Sequence, residues 1–183
     1  MKTLILVRHC QSDWNAIKRL SGQDDTARLN EEGKGQAIKL GMQLHAATSE
    51  FSHIVCSDLE RAQQTAHLLR EALNVPILTE PRFREVHLGS LDGKTREEIL
   101  STDRGRELLD SLHRAYDFRE FGGECSDTVL DRHLKAVEEA LKSCPDGCTM
   151  VVVGHGSSLR TLLRHYHPDR DLHAQGGYDS VLI

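Results

Sequence analysis

Three short apolar runs punctuate the chain: residues 3–7 (Thr-Leu-Ile-Leu-Val), 53–56 (His-Ile-Val-Cys) and 149–153 (Thr-Met-Val-Val-Val). Their length and β-branched content predict strands buried on both faces. Each run ends in polar groups that a buried strand carries only at its tip: Arg8-His9, Ser57-Asp58 and Gly154-His155-Gly156. Between the runs the apolar positions take up helical spacing. Asn30 is an N-cap candidate with Glu31 and Glu32 in the first turn, followed by Ala37, Leu40, Leu44 and Ala47. Leu59, Ala62, Ala66, Leu69 and Leu73 repeat the pattern, as do Leu130, Leu134, Val137 and Leu141, and a shorter helix follows Ser157 through Leu159, Leu162 and Leu163. Alternating strands and helices predict an α/β fold, a three-layer α/β/α arrangement around a mostly parallel central sheet. Residues 180–183 offer one more apolar strand.

Residues 82–125 break the alternation. Thr95-Arg96-Glu97-Glu98 is a capping box opening a short helix, and Leu108, Leu109 and Leu112 mark another. The stretch lacks a strand of its own, so we expect a helical insertion over the C-terminal strand ends within a single domain spanning residues 1–183. A length of 183 residues suits one such unit.

Composition narrows the function. With 23 Lys+Arg against 28 Asp+Glu, the net charge is −5, and there are only 4 Phe, 3 Tyr and 1 Trp. A general nucleic-acid binder needs clustered cations and aromatic platforms, so no nucleic-acid partner is expected. No apolar run approaches the ~20 residues that span a bilayer, and Met1-Lys2 leads straight toward the first strand, so neither a membrane partner nor a signal segment is expected and a cytoplasmic location is. Five scattered cysteines do not form a disulfide framework. Cys144 and Cys148, around Pro145-Asp146-Gly147, are open to a metal pair, a turn disulfide or two reduced thiols. The reduced thiols are the expectation, because no second Cys/His pair stands at zinc-site spacing. Eleven histidines invite a metal-binding reading, yet no ligand cluster emerges; His165 and His167 around Tyr166 read as a surface helix end.

In open α/β sheets ligands bind where strands deliver their carboxyl ends. Here the tips supply Arg8, His9, Ser57, His155 and, one helical turn past Ser57, Arg61. Two arginines and two histidines converging in an acidic chain suit a dianionic phosphate.

The wording around these residues carries a resemblance. Leu6-Val7-Arg8-His9-Cys10-Gln11-Ser12-Asp13-Trp14-Asn15 resembles the Arg-His-Gly signature of the histidine phosphatase superfamily, in its phosphoglycerate mutase-like branch. The similarity continues through Ser21-Gly22, Leu29-Asn30-Glu31-Glu32-Gly33, Cys56-Ser57-Asp58-Leu59-Glu60-Arg61, Arg84-Glu85-Val86-His87-Leu88-Gly89, Gly122-Gly123-Glu124 and Val153-Gly154-His155-Gly156. The blocks keep the family's order.

The resemblance implies that His9 is a nucleophile carrying a phosphoryl group, with Arg8, Arg61 and His155 on the phosphoryl oxygens and Glu85 as general acid and base. The two arginines should keep His9 neutral, and a backbone carbonyl on its other ring nitrogen would fix the tautomer. A salt bridge from Glu85 to Arg82 or Arg84 is the competing reading for that residue. Asn15, Ser21, Gly22 and Gly156 match substrate contacts. No cofactor or metal is expected, since the cations replace it. The implied reaction is hydrolysis of a small phosphorylated metabolite. Alternatives are a cofactor-dependent phosphoglycerate mutase, a protein phosphohistidine phosphatase, and a catalytically dead module that binds a phosphometabolite. The family's mutases carry an extra segment over the site and an Arg-Tyr pair after the catalytic Glu; here Glu85 is followed by Val86-His87-Leu88. Cys10 stands where the family usually has Gly, so its backbone must suit a residue with a Cβ; beside the arginines its thiolate should be favoured, which would make it a site of oxidative inactivation. One extra residue lies between Asp25 and Leu29. Specificity is expected from the insertion, whose polar side chains include Arg96, Arg104, Arg106, His113, Arg114, Tyr116 and Arg119.

Overall fold

The first apolar run becomes strand β1 (Thr3–Arg8) at the heart of a five-stranded sheet. A computed structural model describes residues 2–47 and 50–183; Met1 lies outside them. In chain order follow helix α1 (Asp13–Ala16), α2 (Glu31–Ala47), β2 (Phe51–Cys56), α3 (Glu60–Leu73) and β3 (Ile77–Thr79). Then come α4 (Arg96–Leu100), α5 (Asp103–Ser111), α6 (Ser126–Lys142), β4 (Thr149–Gly154), α7 (Gly156–Tyr166) and β5 (Tyr178–Leu182). The strand order is β3-β2-β4-β1-β5. All pairings are parallel except β1 with β5. Every residue of β4 is buried, as its unbroken apolar run requires of a central strand.

The two faces are covered by different helices. Leu40 and Leu44 of α2 and Ala62, Ala66 and Leu69 of α3 pack on Ile5, Val7, Val151 and Val153. On the opposite face Ala136 and Val137 of α6 and Leu159, Leu162 and Leu163 of α7 pack on Leu4, Leu6, Met150 and Val152. The alternation of β1 and β4 side chains between the two clusters is the period-two pleat. The three layers expected from the pattern are present. β1 and β4 lie side by side, Val7 opposite Val153 and Arg8 opposite Gly154, yet α2 and α7 lie on opposite faces. That divergence is a topological switch point, where adjacent strands open a crevice at their carboxyl ends.

The insertion carries its own small core: Val86, Leu88, Leu91, Ile99, Leu108, Leu109, Tyr116 and Phe118, closed by Val129 of α6. The capping box read at Thr95 is formed, with Thr95 and Glu98 exchanging bonds.

One expectation is corrected. Cys144 and Cys148 are joined in a disulfide rather than being two reduced thiols. Gly147, at φ +80°, folds the turn so that the two Cα atoms stand 6.3 Å apart, within bridging range. α7 ends at Tyr166 beside an exposed His165, as expected of a surface helix end, with the Tyr166 ring half-buried against the cluster of α6 and α7. The edge strand β3 and the one-turn helix α1 have too few residues to show a period, and the sequence pattern does not reveal them.

Candidate active site

The crevice at the β1/β4 switch point deepens into a cavity of about 160 Å³. Arg8, His9, Asn15, Ser21, Gly22, Arg61, Glu85 and Gly156 all line it, so eight of the nine site residues read from sequence meet in one place. The ninth, His155, lies one layer behind: its ring centre is 5.1 Å from that of His9, and its Nε2 shares a 2.9 Å hydrogen bond with Ser57 Oγ.

His9 follows directly from β1, its backbone N–H bonded to the Gly154 carbonyl at 2.8 Å. Nδ1 stands 2.8 Å from the Cys10 carbonyl. A carbonyl only accepts, so Nδ1 carries the proton and Nε2 keeps its lone pair. Burial, reinforced by the Arg61 and Arg8 guanidinium charges, holds the imidazole well below the ordinary histidine range, and the Cys10 carbonyl only partly opposes this. His9 is therefore a neutral base at pH 7.

Arg61 is fully buried, an expensive placement that requires partners. Its Nη1 and Nη2 donate to the carbonyls of Asp24 and Gly22, both at 2.8 Å. The loop supplying those carbonyls is pinned in turn, because Asp25 Oδ1 accepts the Glu60 N–H at the start of α3. Gly22 is at φ +47°, and a Cβ there would lie 1.6 Å from Asp92 Oδ1, so no larger residue fits. At Gly156 a Cβ would stand 3.1 Å from Arg8 Nε, so glycine lets that guanidinium pass the start of α7.

Glu85 rests on the N-terminus of α7. Oε1 accepts the N–H groups of Val86 and Ser158, both at 2.9 Å, and Oε2 that of Ser157 at 3.1 Å. Orphan amides and the helix dipole suit a carboxylate there. The salt-bridge alternative is not adopted: Arg82 pairs with Glu80 and Glu139, and Arg84 with Asp58.

The sequence reading missed the support behind Glu85. Arg132 of α6, with its side chain 16% exposed, donates from Nη1 to the Arg84 carbonyl at 2.8 Å and from Nη2 to the Glu85 carbonyl at 3.0 Å. It also pairs with Glu124, whose Oε2 accepts the His87 N–H at 2.9 Å. Gln23 Nε2 reaches the same Glu85 carbonyl at 3.0 Å. The bonds from Arg132 and Gln23 to the carbonyls of residues 84 and 85 span 47 to 62 residues, so no local pattern reveals them.

Cys10 is corrected as well. Its side chain is fully buried, and desolvation pushes the thiol up to about 11, outweighing any help from the arginines. Its backbone stays outside the positive-φ region, as a Cβ requires. Peroxide is accordingly expected to inactivate wild type and Cys10→Ser at the same rate, checked by residual activity over time; a clearly protected variant would contradict the burial argument.

Within the insertion, only Arg96 and His113 of the polar set reach the cavity. Arg104, Arg106 and Arg119 are spent on Glu120, Asp103 and Asp117, and Tyr116 is buried with its hydroxyl against Thr161. Arg19 and Arg160, singled out for no such role in the sequence, line the cavity instead. Among the described residues no three His, Cys, Asp or Glu side chains converge as a metal site, and no helix is long and apolar enough to cross a membrane.

A catalytic-type histidine between two arginines at the switch point of an α/β sheet defines a phosphate-handling class, and family comparison agrees. The family model for the histidine phosphatase superfamily (branch 1) matches residues 4–176, and the chain belongs to that superfamily as an enzyme of the phosphatase class. A protein of Salmonella paratyphi A named "Probable phosphoglycerate mutase GpmB" is 33% identical over 168 residues, covering 89% of this chain and 74% of that one. A mycobacterial glucosyl-3-phosphoglycerate phosphatase in complex with VO3 superposes with a TM-score of 0.86 at 28% identity, over 98% of this chain and 92% of that one. YhfR of Bacillus stearothermophilus gives 0.85 at 30% identity, over 100% and 92%.

Proposed function

We propose that the protein is a metal-independent phosphomonoesterase working through a phosphohistidine on His9. The observation that carries this reading is the buried, neutral His9, its Nδ1 on a carbonyl, in a cavity it shares with Arg8, Arg61 and Glu85. His9 Nε2 attacks phosphorus in line; the N–P bond forms as the P–O ester bond breaks, and the proton of the phosphate monoanion passes through the Glu85 carboxylate to the departing oxygen. Water then attacks phosphohistidine while Glu85 removes its proton, and the N–P bond breaks to release inorganic phosphate. Arg8 and Arg61 stabilise charge on the equatorial oxygens. Their Nε atoms are buried without a partner among the described residues, the state expected of donors that a ligand completes. The cavity has room for on the order of ten water-sized atoms, which favours a small metabolite over a nucleotide or protein.

Phosphate release from a panel of small phosphomonoesters, with capture of an acid-labile, alkali-stable phosphoenzyme, tests the reading. Absence of both sinks it. The mutase name of relatives 33% identical supports a second reading, phosphoryl return to the product. Isomerisation of 3-phosphoglycerate upon addition of bisphosphoglycerate, without phosphate release, would establish that one instead.

Arg132 acts as a positioning residue for Glu85. Arg132→Lys keeps the charge but cannot bridge two carbonyls and Glu124 together. We expect kcat for an alkyl phosphate, whose leaving oxygen needs a proton, to fall about 100-fold, and that for p-nitrophenyl phosphate far less. Equal losses on both substrates would mean a merely structural role.

A further inference from the structure

His9 can attack only while its ring presents an unprotonated Nε2, so the Cys10 carbonyl that fixes the tautomer must itself be held. That carbonyl belongs to the Cys10–Gln11 peptide, a planar unit whose N–H points the opposite way. The Gln11 N–H donates at 3.0 Å to Gln36 Oε1 on α2. The Gln36 amide is oriented in turn, since its Nε2 donates to the Glu32 carboxylate at 3.3 Å and leaves the oxygen for Gln11. α2 comes this close because Gly33, one turn before Gln36, has no Cβ; one there would lie 2.0 Å from the Gln11 carbonyl oxygen. Asn30, whose Oδ1 accepts the Gly33 N–H at 2.8 Å, completes the grip. Its backbone N–H donates to the Gln11 carbonyl at 3.2 Å and its Nδ2 to Gln11 Oε1 at 2.7 Å.

The preceding peptide is held from the other helix on this face. The Cys10 N–H donates at 3.1 Å to Thr65 Oγ1 of α3. Thr65 is fully buried, and its hydroxyl gives its one proton to the Arg61 carbonyl at 2.9 Å, so a lone pair faces Cys10. Bonding back to the carbonyl four residues earlier is ordinary for a helical threonine; a second bond, to a residue 55 positions away, is not. The turn of α3 that carries the Arg61 guanidinium thus also holds the backbone beside the nucleophile. With the His9 N–H on the Gly154 carbonyl, the N–H groups of residues 9, 10 and 11 are tied to β4, α3 and α2 in succession.

We infer that Gln36 and Thr65 are positioning residues for the nucleophile: by fixing the two peptides that follow His9 they keep the Cys10 carbonyl on Nδ1 and so leave Nε2 free for phosphorus. Neither side chain lines the cavity, so neither meets a bound ester. The catalytic consequence rests on the phosphohistidine reading, whereas the tautomer is measurable without any substrate.

Nitrogen-to-proton correlations of the histidine rings by NMR at neutral pH provide the test, with His9 assigned as the signal absent from His9→Gln. Wild type is expected to show the Nδ1–H form alone. Gln36→Met removes the amide oxygen and Thr65→Val the hydroxyl, each at nearly unchanged volume. Each is expected to bring the Nε2–H form to about a tenth of the population or more, and to lower kcat for p-nitrophenyl phosphate about 10-fold while KM moves less than about threefold. Thr65→Ser, which keeps the hydroxyl, is expected to return tautomer and rate to within about threefold of wild type. An Nε2–H ring in wild type overturns the inference. So does a wild-type tautomer in both loss variants, folded by circular dichroism, or a Thr65→Ser variant as impaired as Thr65→Val. Gln36 is only half-buried, so Gln36→Met decides by itself should Thr65→Val not fold. If wild type turns over no phosphomonoester while the ring forms shift as stated, the phosphatase reading falls and the positioning of His9 stands.

Discussion

Replacing His9 by alanine is expected to lower phosphatase turnover by about 10,000-fold or more and to abolish phosphoenzyme formation. The size of the loss follows from the site's division of labour. Arg8 and Arg61 can still bind the phosphate, so KM should move far less than kcat, but no other histidine stands at the tip of β1; His113, which also lines the cavity, is carried by the insertion. His155 cannot substitute, because its Nε2 is occupied by Ser57 and the side chain does not line the cavity. His9→Gln, which better preserves the buried volume, should be as inactive as His9→Ala. Turnover of p-nitrophenyl phosphate under saturating conditions checks the first claim, and radiolabel retention after rapid quench checks the second. Wild-type activity in either variant would end the phosphohistidine mechanism.

The second large effect concerns stability. His9, His133 and His155 are all buried, and desolvation holds each well below the ordinary histidine value; neighbouring arginine charge adds to this in all three. Unfolded, each returns to a pKa near 6.5. Between the two values the unfolded chain binds protons that the folded chain refuses, so stability is fully present above pH ~6.5 and drains away as the pH falls below it. Three such groups together should remove about 4 kcal/mol between pH 7.5 and 5.5. The native carboxylates that are held low, such as Asp24 and Glu80, begin to contribute only at lower pH, so the two effects separate on the pH axis. Urea midpoints at pH 7.5, 6.5 and 5.5 provide the measurement. A midpoint that does not move across this range would show that these imidazoles do not sit uncharged in the native state. His133→Phe, whose ring would meet Phe83 much as the imidazole now does edge-on at 5.2 Å, should recover about a third of the loss without touching the cavity.

How far the sequence foretold this molecule depends on the range of the interaction involved. Strands buried on both faces write themselves as unbroken apolar runs, which is why β1, β2 and β4 emerge with their polar tips, and with them Arg8, His9 and the neighbourhood of Ser57. Long amphipathic helices are equally legible. Glu85 lies on no strand tip and was reached through its motif; what fixes it is the amide cluster of α7, more than 70 residues away. Arg132 and Gln23 were invisible for the same reason, since a residue whose task is to hold distant carbonyls carries no local signature. At Cys10 the neighbouring Arg8 and the expected approach of Arg61 point to a reactive thiol, whereas burial dominates its chemistry. The polar residues of the insertion illustrate the converse: an arginine with a carboxylate three residues away, as Arg106 has in Asp103, is committed to the surface. Arg96 has no such pairing and faces the cavity.

The insertion's separate core has an evolutionary corollary. Its apolar cluster shares no buried residue with the two clusters that sandwich the sheet, and polar links such as Arg132–Glu124, Tyr116–Thr161 and the Leu20–Lys94 backbone bond join it to the body of the protein. Substitutions confined to Leu109 or Leu112 can therefore drift with little effect on the strands that present His9, because energetically separate sites act nearly additively. Such a molecule works as a fixed reaction chamber with an exchangeable antechamber. New substrates would be acquired by rebuilding the antechamber, while the phosphoryl chemistry passes unchanged from one descendant to the next.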